Sequence, residues 1–427
     1  MAPVTDHPLR YRLANELHAR PFPSQRAPGQ VAFLALRPLE GAASRDRAAE
    51  RAHLIDLLDR HGAPHPQPDA THYSGSIGRC QLKWESHTEF VTYTVFARGT
   101  DARAFDPAGF DVFPPDWLEN SPGLRMTSML MRVEDGADPA VVKPLLSEWF
   151  VPESLAVAHV LDKSAVIAGD FRIDEAGHSR FALFVAEGTG PQRTGRIVQR
   201  LCEIETYKSM SMLGFARARE MQGPLGRLAD DLSGVVSGMD RHDIEPEAAL
   251  KKLLTISAQI EQLEAQSSFR FGATDAYEAI VNQRIAVLRE ERFEGRQTFS
   301  EFMMRRFDPA MRTVKSTKSQ LDSVSARARR AGDLLRTLVD VERSAQNQAL
   351  LESMDKRADL QLRLQQTVEG LSVVAISYYA LNIAGYLVYP VLEPLGISKG
   401  VAMAALTLPV VGVVWAMVRR IRRGVGH

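Results

Sequence analysis

The residues with most chemical promise lie in WESHTEF, residues 84–90. Glu85, His87 and Glu89 alternate, so on one continuous β-strand they would point to the same face. Two carboxylates and an imidazole there could hold a divalent cation or move a proton. A solvent-facing strand with a row of salt bridges writes the same pattern and is the default reading. No other cofactor is implied. His53, His61, His65 and His72 lie close in sequence, but Pro64 and Pro66 flank His65, so no single helix face gathers them. There is no HExxH and no paired-cysteine spacing. In EIETYK, Glu203 and Tyr207 are four apart and share a helix face, where a surface or inter-domain hydrogen bond is the default. The glycine-containing stretch 223–238 lacks the Lys-Ser/Thr of a phosphate loop, and no nucleophile elbow is present. No catalytic motif emerges, and an enzyme reading would rest on Glu85, His87 and Glu89 alone.

The elements that must position these residues fall into three blocks. Residues 1–190 read as a cytoplasmic α+β domain. Strand patterns occupy 31–36, 77–96, 124–133, 156–161, 165–173 and 181–186, and helical spacing marks 45–61, 138–150 and 192–221. Strands outnumber helices, which predicts a mixed or antiparallel sheet with helices packed on it.

Residues 191–368 read as helical and coiled-coil-like. Amphipathic helices are expected over 250–263 and 277–288, and Pro309 marks a helix boundary. Val314, Thr317, Leu321, Val324, Ala328, Ala331, Leu335 and Leu338 alternate spacings of three and four, which is a heptad seam. The seam resumes loosely at Ala345, Leu351, Met354 and Ala358. A helix over 311–366 would reach on the order of 80 Å and needs a partner for its apolar stripe. That partner is the preceding helices, other subunits of a homo-oligomer, or both. Arg327, Arg329, Arg330 and Arg336 read as a solvated face.

Residues 369–418 read as a transmembrane hairpin, with uncharged runs at 371–389 and 400–418, close to the roughly 20 residues a spanning helix needs. Arg419, Arg420, Arg422 and Arg423 follow in the basic tail 419–427. By the charge rule both termini are expected on the cytoplasmic side and the link 390–399 outside. Tyr386, Tyr389 and Trp415 suit interfacial anchors. Ala380 with Ala384, Gly400 with Ala404 and Gly412 with Ala416 have the spacing of close helix contacts. Asn382 lies mid-span and wants a partner, which makes Asn382 and Gly385 candidates for a helix contact or a pore lining. Pro409 predicts a kink.

Composition bounds the rest. The chain has 427 residues, and 52 Lys and Arg balance 52 Asp and Glu. Such a balance gives no general attraction to nucleic acid or acidic lipid. Cys80 and Cys202 are too few for a disulfide framework and fit a reducing compartment. Residues 1–20 lack the apolar core of a secretory signal.

Several segments together resemble one family. They are HPLRYRLANELHARP at 7–21, WESHTEFVTYT at 84–94, RIVQRLCEIETYK at 196–208, RSAQNQALL at 343–351 and SMDKRADLQLRLQQTVEGLS at 353–372. The chain is identified by them as similar to bacterial membrane-anchored proteins carrying the domain of unknown function 3422. The resemblance covers almost the whole chain and implies an inner-membrane location, but no activity and no catalytic residue. A second resemblance is architectural. A cytoplasmic α/β domain, long helices and two spans with a short outer link are similar to CorA-type magnesium channels, in which five subunits surround a pore. That family ends its first span with Gly-Met-Asn, where this chain has Gly385, Tyr386 and Leu387, and of acidic residues the link keeps only Glu393. Two functions follow as expectations: a membrane-anchored, self-associating scaffold or regulator, or a CorA-like divalent-cation channel lacking that signature.

Overall fold

The computed structural model describes residues 4–11, 13–14, 23–241, 243–392 and 398–425. Glu393, most of the segment 7–21, and the side chains of Tyr389, Arg422 and Arg423 lie outside the described residues. The chain forms two compact units.

The first unit comprises residues 1–244 and 251–331. Its strands are β1 (Gly29–Arg37), β2 (His72–Ile77), β3 (Cys80–Ser86), β4 (Val91–Arg98), β5 (Leu124–Asp135), β6 (Ala156–Val160), β7 (Ala165–Ile173), β8 (Ser179–Val185) and the two-residue β9 (Glu291–Arg292). They form one sheet in the order β2-β3-β4-β1-β5-β8-β7-β6-β9. Every pairing is antiparallel except β5 with β8, so the sheet is mixed. That parallel pair needs a long crossover, which α3, β6 and β7 supply between β5 and β8.

One face carries α1 (Arg47–Arg60), α2 (Pro115–Glu119) and α3 (Pro139–Trp149). Helix α1 starts because the Asp46 carboxylate accepts from the amides of Ala48 and Ala49 at 2.9 and 3.0 Å. Its Leu54, Leu57 and Leu58 pack with Leu34, Leu82, Trp84, Tyr93 and Val95 of the sheet and with Trp117 of α2. Helix α3 opens with Asp138 as cap and Pro139 in its first turn, and buries Val142, Leu146 and Trp149 against Val166, Ala182 and Phe184. Each such side chain contributes roughly 1.5–3 kcal/mol relative to exposure.

The opposite face carries α4 (Pro191–Asp240), which runs beside α5 (Pro246–Leu288). Gly214 sits where α4 and α5 come closest, since a Cβ there would lie 2.1 Å from Thr274 Oγ1. Helix α6 (Phe299–Arg306) has a full capping box between Thr298 and Glu301. Helix α7 (Asp308–Leu392) begins two residues later, so Pro309 lies in its first turn. In this unit Lys315 and Lys318 of α7 bind Glu278 and Asp275 of α5 at 2.7 and 2.8 Å. Arg327 donates to Ser233 of α4 at 2.9 Å. The seam residues Val314, Thr317, Leu321, Val324, Ala328 and Ala331 are buried.

Three expectations change here. WESHTEF is not one strand: β3 stops at Ser86, and residues 87–90 turn into β4. Helix α4 does not end at Met221 but continues through Pro224. Leu225, Leu228, Leu232 and Val235 repeat at three and four and are buried, so packing outweighs the proline's lost hydrogen bond. The two helices expected over 250–288 are one. Ser267 and Thr274 occupy buried positions between them, their hydroxyls satisfied by Leu263 O and Arg270 O at 2.6 and 2.8 Å.

The second unit holds residues 245–250 and 332–427. Leu335 is buried, whereas Leu338, Val341, Leu350, Leu351, Met354, Leu360, Leu362, Leu364 and Val368 are exposed. Helix α7 contains an 18-residue window of mean hydropathy 1.6, and α8 (Lys399–Val425) one of 2.2. Both are long and apolar enough to cross a membrane, and they form a C-terminal hairpin. The fold is thus an α+β domain, long helices and a two-helix hairpin.

Candidate functional site

The β3–β4 turn, the third to fifth turns of α4 and the middle of α5 meet on the face of the sheet that α4 covers. Segments 84–90 and 196–208, far apart in sequence, lie together there.

Glu89 is the centre of this junction. Its side chain is 0 % exposed. Arg270 of α5 grips both carboxylate oxygens, and the Tyr277 hydroxyl donates to Oε1 at 2.8 Å. Arg37 at the end of β1 stands 3.6 Å from Oε2. Burial holds the Arg37 guanidinium below its ordinary value, Arg270 adds to that, and Glu89 opposes it. Burial also raises the Tyr277 phenol, reinforced by the Glu89 charge. A buried carboxylate with this many donors ties α5 to the sheet.

The turn itself is clamped from the other side. Arg45 donates to the carbonyls of His87, Thr88 and Phe90 and to Ser86 Oγ, and pairs with Glu50 at 2.5 Å. Burial raises the Glu50 carboxyl, and Arg45 opposes that shift. His87 stacks on Phe90 at 4.4 Å between ring centres, and Phe90 meets Tyr207 and Tyr277 edge-on. His87 Nε2 lies 3.3 Å from Thr92 Oγ1.

Glu85 faces a different neighbour. Lys83 Nζ lies 3.0 Å from its Oε2, in a crevice lined also by Cys202, Thr206 and Tyr207. The crevice holds about 20 Å³, room for about one water. Burial raises the Cys202 thiol, so it is an inert core residue. Deeper under α4, Glu205 accepts from Thr127 and Ser179 at 3.4 and 3.2 Å and from Lys208 at 2.7 Å. Glu203 accepts from Gln199 at 2.8 Å and is bound by Arg284.

Of the three residues expected to share a strand face, Glu85 and His87 line the same crevice, while Glu89 is directed away to α5. Glu85 pairs with Lys83, His87 sits in an aromatic stack, and Glu89 is consumed by Arg270 and Tyr277. Among the described residues no group of three or more His, Cys, Asp or Glu is spaced to hold a metal ion. Nor do the early histidines gather. His53 is buried, stacked on Trp117 and bonded to Tyr93 Oη at 3.1 Å and Trp117 O at 2.9 Å, while His65 pairs at the surface with Asp59. Sequence reading missed Arg37, Arg45, Arg270 and Tyr277. Only the pairing of fold elements brings Arg37, Arg270 and Tyr277 to Glu89 and Arg45 to the turn beside it, and no local spacing announces it.

In the second unit the Asn382 amide donates to Tyr378 O of its own helix at 2.9 Å. Gly385 is buried, and a Cβ there would lie 2.4 Å from Met403 Sδ, so it marks the close approach of α7 and α8. Gly400, Ala404, Gly412 and Ala416 are exposed and take no part in that contact, and Ala380 and Ala384 are half-buried. Lys399 lies over the Tyr386 ring and Arg419 over Trp415, at 5.6 and 4.9 Å.

A family model described as "Protein of unknown function (DUF3422)" matches residues 5–425. The chain belongs to that family. No curated protein and no solved structure matches it.

Proposed function

We propose that this protein is a membrane-anchored, self-associating scaffold or regulator, held in the bacterial inner membrane by its C-terminal hairpin with both termini in the cytoplasm. One observation carries the reading. Along α7 the seam positions from Val314 to Leu335 are covered, and the apolar residues from Leu338 to Val368 are bare. A bare stripe of that length on a helix wants a second helix, and a second copy of α7 offers an identical one. The arginines after α8 favour a cytoplasmic tail. The junction around Glu89 is a structural lock with no activated nucleophile, which suits a body that transmits or holds position. Two membrane-pellet measurements test the anchor. The intact chain should resist carbonate extraction, and a chain stopped before Gly370 should be soluble and folded. Extraction of the intact chain by carbonate would overturn the anchor.

A second reading, a ring-forming divalent-cation channel, draws on Asn382, a half-buried carboxamide inside the first apolar window. Its amide proton is already used within α7, which weighs toward the anchor. Uptake of magnesium into proteoliposomes that Asn382→Leu abolishes would favour the channel, and absence of uptake would dismiss it.

A further inference from the structure

On the face of the sheet that α1 and α2 cover, three oxidisable rings stand in a row. Tyr73 of β2 is the direct cross-strand partner of Trp84 in β3, and Trp84 is that of Tyr93 in β4. Such partners point to one face with their Cβ atoms about 4.5–5.5 Å apart, so the three side chains form a continuous line. Trp117 of α2 extends it, edge-on to Tyr93 with 5.1 Å between ring centres. All four belong to one buried cluster. Phe or Leu would fill the same volume without an oxidisable ring.

Tyr93 alone in this row has a base on its phenol, His53 Nδ1 at 3.1 Å. The far side of the imidazole fixes the direction of that bond. His53 Nε2 stands 2.9 Å from Trp117 O. A carbonyl can only accept, so Nε2 carries the hydrogen and Nδ1 the lone pair. Tyr93 therefore donates to His53. Burial holds the His53 imidazole below its ordinary value, so the ring is neutral at pH 7 and open to a proton. The ring is also fixed in place. It stacks on Trp117 at 3.8 Å, and Trp117 Nε1 donates to His53 O at 2.8 Å. Tyr93 is 0 % exposed. Burial, and then the Glu50 charge, push its phenol above the ordinary value. A free phenolate is thus disfavoured, and losing an electron costs least when the proton leaves for His53 in the same event. At the other end of the row, Tyr73 lines an open groove on the edge strand β2 with Pro66, Pro68 and His72.

We propose that Tyr93 is a redox site that holds one oxidising equivalent, with His53 as its proton acceptor and Trp84 and Tyr73 as the electron path to the surface. The co-reactant is an outer-sphere one-electron oxidant at the Tyr73 groove, which takes one electron and is reduced. Tyr73 and Trp84 pass that electron outward and each returns to its starting state. Tyr93 supplies it. Its O–H bond breaks, and the proton forms a new bond to Nδ1. The products are a neutral phenoxyl radical on Tyr93, an imidazolium on His53 and the reduced oxidant. The imidazolium keeps its Nε2 hydrogen bond to Trp117 O. The assignment goes beyond the scaffold reading and stands independently of it.

The test is flash-quench oxidation of the full chain in maltoside micelles, with photogenerated tris(bipyridine)ruthenium(III) as the oxidant. Transient absorption and freeze-quench electron paramagnetic resonance read the radical. The parent should give a hydrogen-bonded tyrosyl radical that forms more slowly in heavy water. Tyr93→Phe keeps the ring and should remove that signal. His53→Gln should slow its formation about tenfold or more and abolish the heavy-water effect. Trp84→Phe should slow it and leave the heavy-water effect in place, which a merely structural role for the row would not do. Tyr11→Phe, at an exposed tyrosine outside the row, should change nothing. His53→Gln and Trp84→Phe carry the readout should Tyr93→Phe fail to fold. A parent without a tyrosyl radical, a signal that survives Tyr93→Phe, or a rate indifferent to His53→Gln overturns the proposal.

Discussion

Glu89 is fully buried and meets two guanidiniums and a phenol. Glu89→Gln keeps the shape but leaves Arg270 and Arg37 buried against a neutral amide. Denaturant unfolding of the soluble chain ending before Gly370 should show a loss of about 3 kcal/mol or more. Glu85→Gln breaks only the Lys83 contact at a partly open crevice, and should cost clearly less. A loss for Glu85→Gln as large as that for Glu89→Gln would remove Glu89 from its central place. Histidines set a pH prediction at the same scale. Burial lowers His53, His178 and His159 below the ordinary value of 6.5. A base whose folded value is depressed favours the fold above its unfolded value, so stability should fall as pH drops below about 6.5. Each histidine contributes at most about 1.4 kcal/mol per pH unit. Burial raises Glu50 and Glu290, which opposes this trend as pH falls toward the ordinary carboxylate value and adds nothing further below it. His53→Gln should flatten the acid slope, and an unchanged slope would contradict the assignment. The residue types at 84–90 were legible as unusual in the sequence. Their roles were not, because Glu89 owes its surroundings to Arg270 and Tyr277, more than 180 positions later.

Helices α4 and α5 touch most closely at Gly214 and Thr274. Gly214→Val should push them apart and lower the thermal midpoint by several degrees, measured by circular dichroism. A midpoint equal to the parent's would show that the contact is loose. The strands over 31–36, 124–133, 156–161, 165–173 and 181–186 read correctly because their apolar runs sit in a buried sheet, where hydrophobicity is dense and continuous. β2, HYSGSI, was not found. It is an edge strand whose burial alternates weakly and which contains Gly75, so periodicity carries little signal. The hairpin 80–98 read as one strand because its turn, His87 to Phe90, holds neither Gly nor Pro. Arg45 supplies from outside the carbonyl partners that a turn sequence would otherwise supply from within. Helix α5 read as two because buried Ser267 and Thr274 look polar in a string, while in the helix they bond back to their own backbone.

At the scale of the molecule, the apolar positions of α7 fall into a covered part and an exposed part. The first half of the seam, Val314 to Ala331, is covered by the chain's own α4 and α5. Its continuation is bare, and the proposed function would have a second copy cover it. Leu351→Glu with Met354→Glu adds charge to that stripe without touching a buried residue, so the double variant should fold as the parent does and lose self-association. The first half of the seam was readable from spacing alone, but that it faces inward was not, since spacing does not say which element covers a stripe. The most direct test of the account is the native mass of the intact protein in a mild detergent, with the micelle's contribution subtracted. A dimer or larger assembly is expected, which the Leu351→Glu, Met354→Glu pair reduces to single chains. A monomer for the intact protein across the concentrations found in membranes would contradict it.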